Sequence, residues 1–387
     1  MILLSQLAVQ AAAQSNCNKV SFAAAVSLSG VGAYATGIAA GDFNNDGIPD
    51  LAVVARTNGI IEVALGKGNG TFQPWIYSSA TYSPTQVAVG RFDGQNLDTV
   101  VNDAAFLDAS VLLGNGTGYF PSSTFISVGE NFTRGFAVGD FNGDKKDDLA
   151  VTDSIGNVYI YVSNGDGTFQ GPQIFPTGGI DPEPIVAGDF NGDGILDLAI
   201  LNLDDPDGGA NGSLALLLGK GNGTFGAPLL LHFPKFFTNV GSAIAAGDFD
   251  GDHKLDVAVT GTSYSGVIYL VILLGNGNGT FHKGAVISAG SQATAIQAAD
   301  FNSDGKLDLA IANDTPRNVG YVSILVGNGD GSFQPPSYFG LDGKAPQEIA
   351  IADFNLDGKP DVATVDGLSS SISILLNTTP PCTVNQP

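Results

Sequence analysis

Oxygen-bearing side chains recur at alternate positions of a nine-residue stretch, D-F-N-x-D-G-x-x-D, and versions of it begin at positions 42, 91, 140, 189, 248, 300 and 353. Oxygens at positions 1, 3, 5 and 9, a main-chain carbonyl at position 7 and a glycine that turns the chain at position 6 form a ligand set for a hard cation. Such an ion takes six to eight oxygens, and Ca²⁺ is the expected one. Four loops meet every requirement: Asp42, Asn44, Asp46, Ile48 and Asp50; Asp189, Asn191, Asp193, Ile195 and Asp197; Asp300, Asn302, Asp304, Lys306 and Asp308; and Asp353, Asn355, Asp357, Lys359 and Asp361. In each, the position-7 residue (Ile48, Ile195, Lys306 or Lys359) would give its carbonyl.

Three loops depart from this pattern. Asp248, Asp250, Asp252, Lys254 and Asp256 keep the carboxylates but have His253 at the turn position, and histidine tolerates a left-handed backbone better than most residues. Asp140, Asn142, Asp144, Lys146 and Asp148 have Lys145 there, which predicts weaker binding. The stretch Arg91 to Asp98 is one residue short and opens on a cation. Arg91 reads either as a built-in replacement for the metal, paired with Asp93 or Asp98, or as the mark of a decayed loop.

The elements that must position these loops follow from the spacing, which runs 49, 49, 49, 59, 52 and 53 residues. Within one period, Glu183–Gly188 is a small-residue and apolar run, Leu196–Leu201 and Ser213–Leu218 are apolar strands, and Gly219-Lys220-Gly221-Asn222-Gly223-Thr224-Phe225 is a turn. The outer strand is expected to begin at the phenylalanine of that turn. A period near fifty with four strands per repeat predicts an all-β fold, a seven-bladed β-propeller with four-stranded antiparallel blades and calcium loops between the first two strands of most blades. The expected blades span 31–83, 84–131, 132–180, 181–238, 239–291, 292–343 and 344–380. The last has only three strands of its own, so residues 14–30 are expected to supply the fourth, leaving 381–387 as a tail. Cys17 and Cys382, the only cysteines, flank that junction where other blades have their turn. They are expected to form a disulfide across it, in an oxidising compartment. Residues 1–13 resemble the apolar core of a secretory signal, without its basic start.

A formal charge of −23 arises with 15 Lys+Arg and 38 Asp+Glu, and more than half of the acids sit in the seven loops. The acidity is therefore chiefly that of the ligand sets. With no basic run, a nucleic-acid partner is not expected. No apolar run reaches transmembrane length. Three histidines (His232, His253 and His282) and four glutamates (Glu62, Glu130, Glu183 and Glu348) are scattered among the repeats, with no catalytic spacing. Strings such as Gly275-Asn276-Gly277-Asn278-Gly279 precede strands, so they are turns and not phosphate loops. Two irregular segments fall in the 59-residue period: Asp204–Asn211, with three carboxylates, and the aromatic His232–Phe237.

The D-F-N-x-D-G-x-x-D and G-x-G-N-G-T-F motifs, in register from about 20 to 380, resemble the FG-GAP and VCBS repeat families, which include the N-terminal propellers of integrin α chains. The resemblance implies calcium in the loop between the first two strands of a blade, and Arg91, Lys145 and His253 depart from it. The resemblance does not fix an activity; with the leader-like start, the expected disulfide and the lack of catalytic spacing, the expectation is an extracellular, monomeric, non-catalytic binding or adhesion module for a glycan or a protein. The alternatives are a lectin, or a carbohydrate-active enzyme similar to polysaccharide lyases. Trp75 is the one tryptophan, which weighs against a lectin with an aromatic platform in every blade.

Overall fold

The computed structural model describes residues 19–381, apart from 58, 105–107, 129–131, 205–211, 234–236, 264–267, 316 and 318. Its regular elements are strands, arranged in seven four-stranded sheets. The first blade is Ala35–Gly41, Asp50–Ala55, Ile60–Ala64 and Ile76–Ser79, paired antiparallel in that order. Each first strand ends at the residue before a motif, as at Gly41, Gly188 and Ala299. Each second strand begins on the motif's last aspartate, the ninth residue at Asp50, Asp148, Asp197, Asp256, Asp308 and Asp361 and the eighth at Asp98 of the shorter loop. The second and third strands are almost fully buried, so they read as continuous apolar runs.

The ring closes between the two ends of the chain. Val26–Ser29 pairs with Ser371–Leu375 as the outer strand of the seventh blade, with Val26 opposite Ile374 and Ser29 opposite Ser371. An isolated bridge joins Phe22 to Asn377 just beyond it. Cys17 and Cys382, and the leader-like stretch 1–13, lie outside the described residues, as do 205–211 and 234–236 of the two irregular segments.

The outer strands begin later than expected. Phe72, Phe169, Phe225 and Phe333 make only single bridges, to Gly66, Ser163, Gly219 and Gly327. Regular pairing resumes at Ile76, Gln173, Leu229 and Ser337. A proline intervenes each time: Pro74, Pro172, Pro228, and Pro335 with Pro336. Proline has no N–H to give the ladder. The fifth blade lacks such a proline, and there the strand starts at Phe281 as expected.

A central channel of about 640 Å³ is walled by first strands, with Val87, Ile185, Ile296 and the glutamates Glu183 and Glu348 among its residues. Burial pushes the Glu348 carboxyl up to about 8, against the opposing effect of the Ile38 N–H that it accepts.

Candidate metal centres

Each loop is folded by its own side chains. In the first blade Asp42 accepts the N–H of Asp46 on Oδ1 (3.0 Å) and that of Gly47 on Oδ2 (2.8 Å). Asn44 Oδ1 also accepts the Asp46 N–H, and Asp46 Oδ1 accepts that of Ile48. The same bonds recur from Asp189, Asn191 and Asp193, and from Asp353, Asn355 and Asp357. They recur from Asp300, Asn302 and Asp304 as well. Asp42 takes one N–H on each oxygen and Asp189 Oδ1 takes two, from Gly192 and Asp193, and lone pairs remain free, since an ionised carboxylate has about four acceptor sites.

Two residues in each of the six full-length loops take left-handed backbone, where the sequence pattern suggested one. At position 6, Gly47 has φ 82°, and Lys145 (68°) and His253 (65°) adopt the same turn. Position 4 is left-handed too, as Asn45, Gly192, Ser303 and Leu356 illustrate. The Lys145 and His253 loops are therefore shaped like the others. In the His253 loop, oxygens of Asp248, Asp250 and Asp256 lie within 4.8 Å of one another. Hard oxygens converging on one point fit a divalent cation, and Asp140 with Asn142 and Asp144 repeats the same turn bonds.

The ninth residue has a second task that sequence reasoning missed. Asp197 Oδ2 accepts the N–H of Phe190 at 3.0 Å, and Oδ1 accepts that of Gly219, in the turn between the third and fourth strands, at 2.8 Å. The pattern holds in all seven blades. Asp50, Asp148, Asp256 and Asp308 take Phe43 with Gly66, Phe141 with Ser163, Phe249 with Gly275, and Phe301 with Gly327. Asp361 takes Phe354 and Asn377. These carboxylates are fully buried. Burial pushes Asp197 up to about 6 and Asp308 to about 7, while the N–H donors act against it.

The phenylalanine at position 2 carries this clasp to the next blade. Gly223 N–H bonds the Phe141 carbonyl (2.9 Å), and Phe225 meets the Phe141 ring edge-on at 5.7 Å. Six glycine bonds of this kind join blade to blade, from Gly70, Gly118, Gly167, Gly223, Gly279 and Gly331. At the seventh junction no such turn is found among the described residues, and the side chain of Asn377 takes the glycine's place, donating to the Phe301 carbonyl at 2.8 Å. Phe22 supplies the ring against Phe301.

The Arg91 loop keeps this clasp. Asp98 accepts the N–H groups of Phe92, Asp93 and Gly114. The expected pairing of Arg91 with Asp93 or Asp98 does not form. The guanidinium instead donates to the Gln95 carbonyl at 3.0 Å, because Asp98 is occupied by main-chain donors and Asp93 accepts the Gln95 N–H. Asp147 of the next blade accepts the Arg91 N–H at 2.7 Å, so that acid serves the blade junction.

A sequence profile described as an FG-GAP-like repeat matches residues 42–101, 140–200, 207–259, 258–311 and 300–364. No curated protein matches the chain. Among solved structures, one titled "Crystal structure of BBS1N in complex with ARL6DN, soaked with mercury" superposes with a TM-score of 0.64 at 13% identity, covering 94% of this chain and 99% of that one. At that identity the likeness is one of fold. The matched repeats span most of the chain and coincide with the loops just described, so the protein belongs to the FG-GAP-like repeat family, a propeller of the general binding or scaffold kind.

Proposed function

We propose that this propeller binds Ca²⁺ in the six loops that begin at Asp42, Asp140, Asp189, Asp248, Asp300 and Asp353, and acts outside the cell as a non-catalytic adhesion module for a glycan or protein partner. The calcium reading is supported by the shared turn geometry and by the converging carboxylates of Asp248, Asp250 and Asp256. Bound there, the ion would lock loop ends whose acids otherwise repel one another. Asp, Asn and the position-7 carbonyl would hold it, and the clasp would fix the loop against the sheet.

The binding role rests on one observation, the larger number of exposed apolar side chains at one end of the ring, against Tyr119 and Leu356 at the metal-loop end. The metal loops and the glycine turns share one face. Loops on the other face expose large apolar side chains: Tyr34, Tyr82 (72% exposed), Phe132, Ile155 (59%) and Leu368. A concentration of exposed apolar groups on one face supports its reading as a contact surface. An array of glycans and matrix proteins, probed with wild type and with Tyr82→Asp/Phe132→Asp, tests this reading. Binding in calcium that fails in the double variant is expected. Binding by the double variant equal to wild type, or no binding by either protein, contradicts it.

A further inference from the structure

The position-7 side chain divides the six loops into two classes. It is Ile48 or Ile195 in two of them and Lys146, Lys254, Lys306 or Lys359 in the other four. Five of them run the same way, across the glycine turn of their own blade; Lys359 lies in the seventh blade, where no such turn is found among the described residues. A Cβ added to Gly165, Gly277 or Gly329 would come within 2.8, 2.7 or 2.9 Å of the Cδ of Lys146, Lys254 or Lys306, and one on Gly221 within 3.2 Å of Ile195 Cδ1. The stem therefore brings the ammonium to the edge of the metal loop, where it meets the loop acid, the turn carbonyl or both. Lys146 Nζ donates to the Asn164 carbonyl at 3.0 Å and lies 3.5 Å from Asp144 Oδ2. Lys306 Nζ donates to the Asn328 carbonyl at 2.6 Å. Lys254 Nζ is 2.6 Å from Asp252 Oδ2, and Lys359 Nζ is 3.4 Å from Asp357 Oδ2. In the isoleucine loops the same carboxylate oxygen takes a neutral donor instead, Asn44 Nδ2 on Asp46 and Asn191 Nδ2 on Asp193, both at 2.9 Å.

We propose that Lys146, Lys254, Lys306 and Lys359 are resident cations that steady their loops without metal and weaken calcium binding there, so that the ring holds two classes of calcium site. This rests on the calcium reading above. A divalent ion held by Asp252 would have an ammonium at hydrogen-bond distance from one of its own ligand groups, and the like charges repel. Without the ion, the same ammonium offsets the loop's acids. The isoleucine loops have neither effect. Both are screened by salt, because the lysines are partly exposed.

Lys254→Met keeps the length of the stem and removes the charge, and Ile195→Lys makes the reverse change. Calcium affinity is read by competition with a fluorescent chelator, and metal-free stability by melting in EDTA. At low ionic strength Lys254→Met should tighten one site by about two- to fivefold, and Ile195→Lys should loosen one by a similar factor. Lys254→Met should also melt lower in EDTA, and both differences should fade in molar salt. Calcium uptake by wild type with both variants unchanged overturns this inference alone. No uptake by wild type overturns the calcium reading and this inference with it. Effects that persist undiminished in high salt also overturn it, since they would come from packing.

Discussion

The Arg91 loop and the Asp189 loop do the same mechanical work with different chemistry. Both end in a buried aspartate that ties its loop to the turn of the same blade, and both present a phenylalanine carbonyl and ring to the next blade. Only the Asp189 loop keeps acids or amides at positions 1, 3 and 5. The clasp therefore does not depend on the ligand set, because the loop that lost its first aspartate retains Phe92 and Asp98 in place. On the calcium reading proposed above, metal binding would be an addition to a junction that the fold already needs.

The sharpest way to break that comparison is to remove the clasp from both. Asp98→Ala and Asp197→Ala should each destabilise the protein by about 3–5 kcal/mol, since three main-chain N–H groups in the first and two in the second lose a charged acceptor. In EDTA the two losses should match within error in denaturant titrations. In calcium Asp197→Ala should fall further behind, as it also loses a ligand. If Asp98→Ala proves mild and Asp197→Ala severe in EDTA, the clasp is not common to both loops.

Ring closure gives a smaller effect. Asn377→Ala removes a donor to the Phe301 carbonyl and another to the Pro360 carbonyl. About 2 kcal/mol should be lost, read as a lower urea midpoint with unchanged slope. A variant as stable as wild type would mean that Asn377 is no substitute for the missing glycine turn.

The smallest effect lies away from the loops and serves as a control. Glu348 has its folded value raised to about 8 from the ordinary 4.5, so the folded state binds the extra proton. Its stability contribution therefore falls as pH rises from about 4.5 through 8. Glu348→Gln should melt above wild type at pH 9 and alongside it at pH 4. Parallel melting curves across that range would show that the carboxyl is not held protonated.

The blade count, the strand order and the closing strand were legible because period and turn motif repeat in register. The candidate loops stood out as an alternation of oxygen donors, which no strand or core requires. The ninth aspartate looked like one more ligand because a motif shows residue type and hides direction. Its clasp lies across 22 residues, from Asp197 to Gly219. A trace was present nonetheless, since Phe92 and Asp98 persist where the first aspartate does not. The late outer strands were readable from Pro74, Pro172 and Pro228. The role of Asn377 was not, because it depends on a side chain standing in for a backbone N–H at the one junction without a turn. The partial exposure of Lys146 and Lys254 likewise gave no sequence signal beyond a charge at position 7.

The central claim is that six loops hold calcium and the Arg91 loop does not. Equilibrium dialysis of the chelator-stripped chain against calcium tests it most directly. The account predicts saturation at six ions per chain, falling to five when Asp189→Ala removes one site, with Arg91→Asp alone adding none. Uptake of no calcium, or a seventh ion bound once Arg91 becomes aspartate, would contradict it.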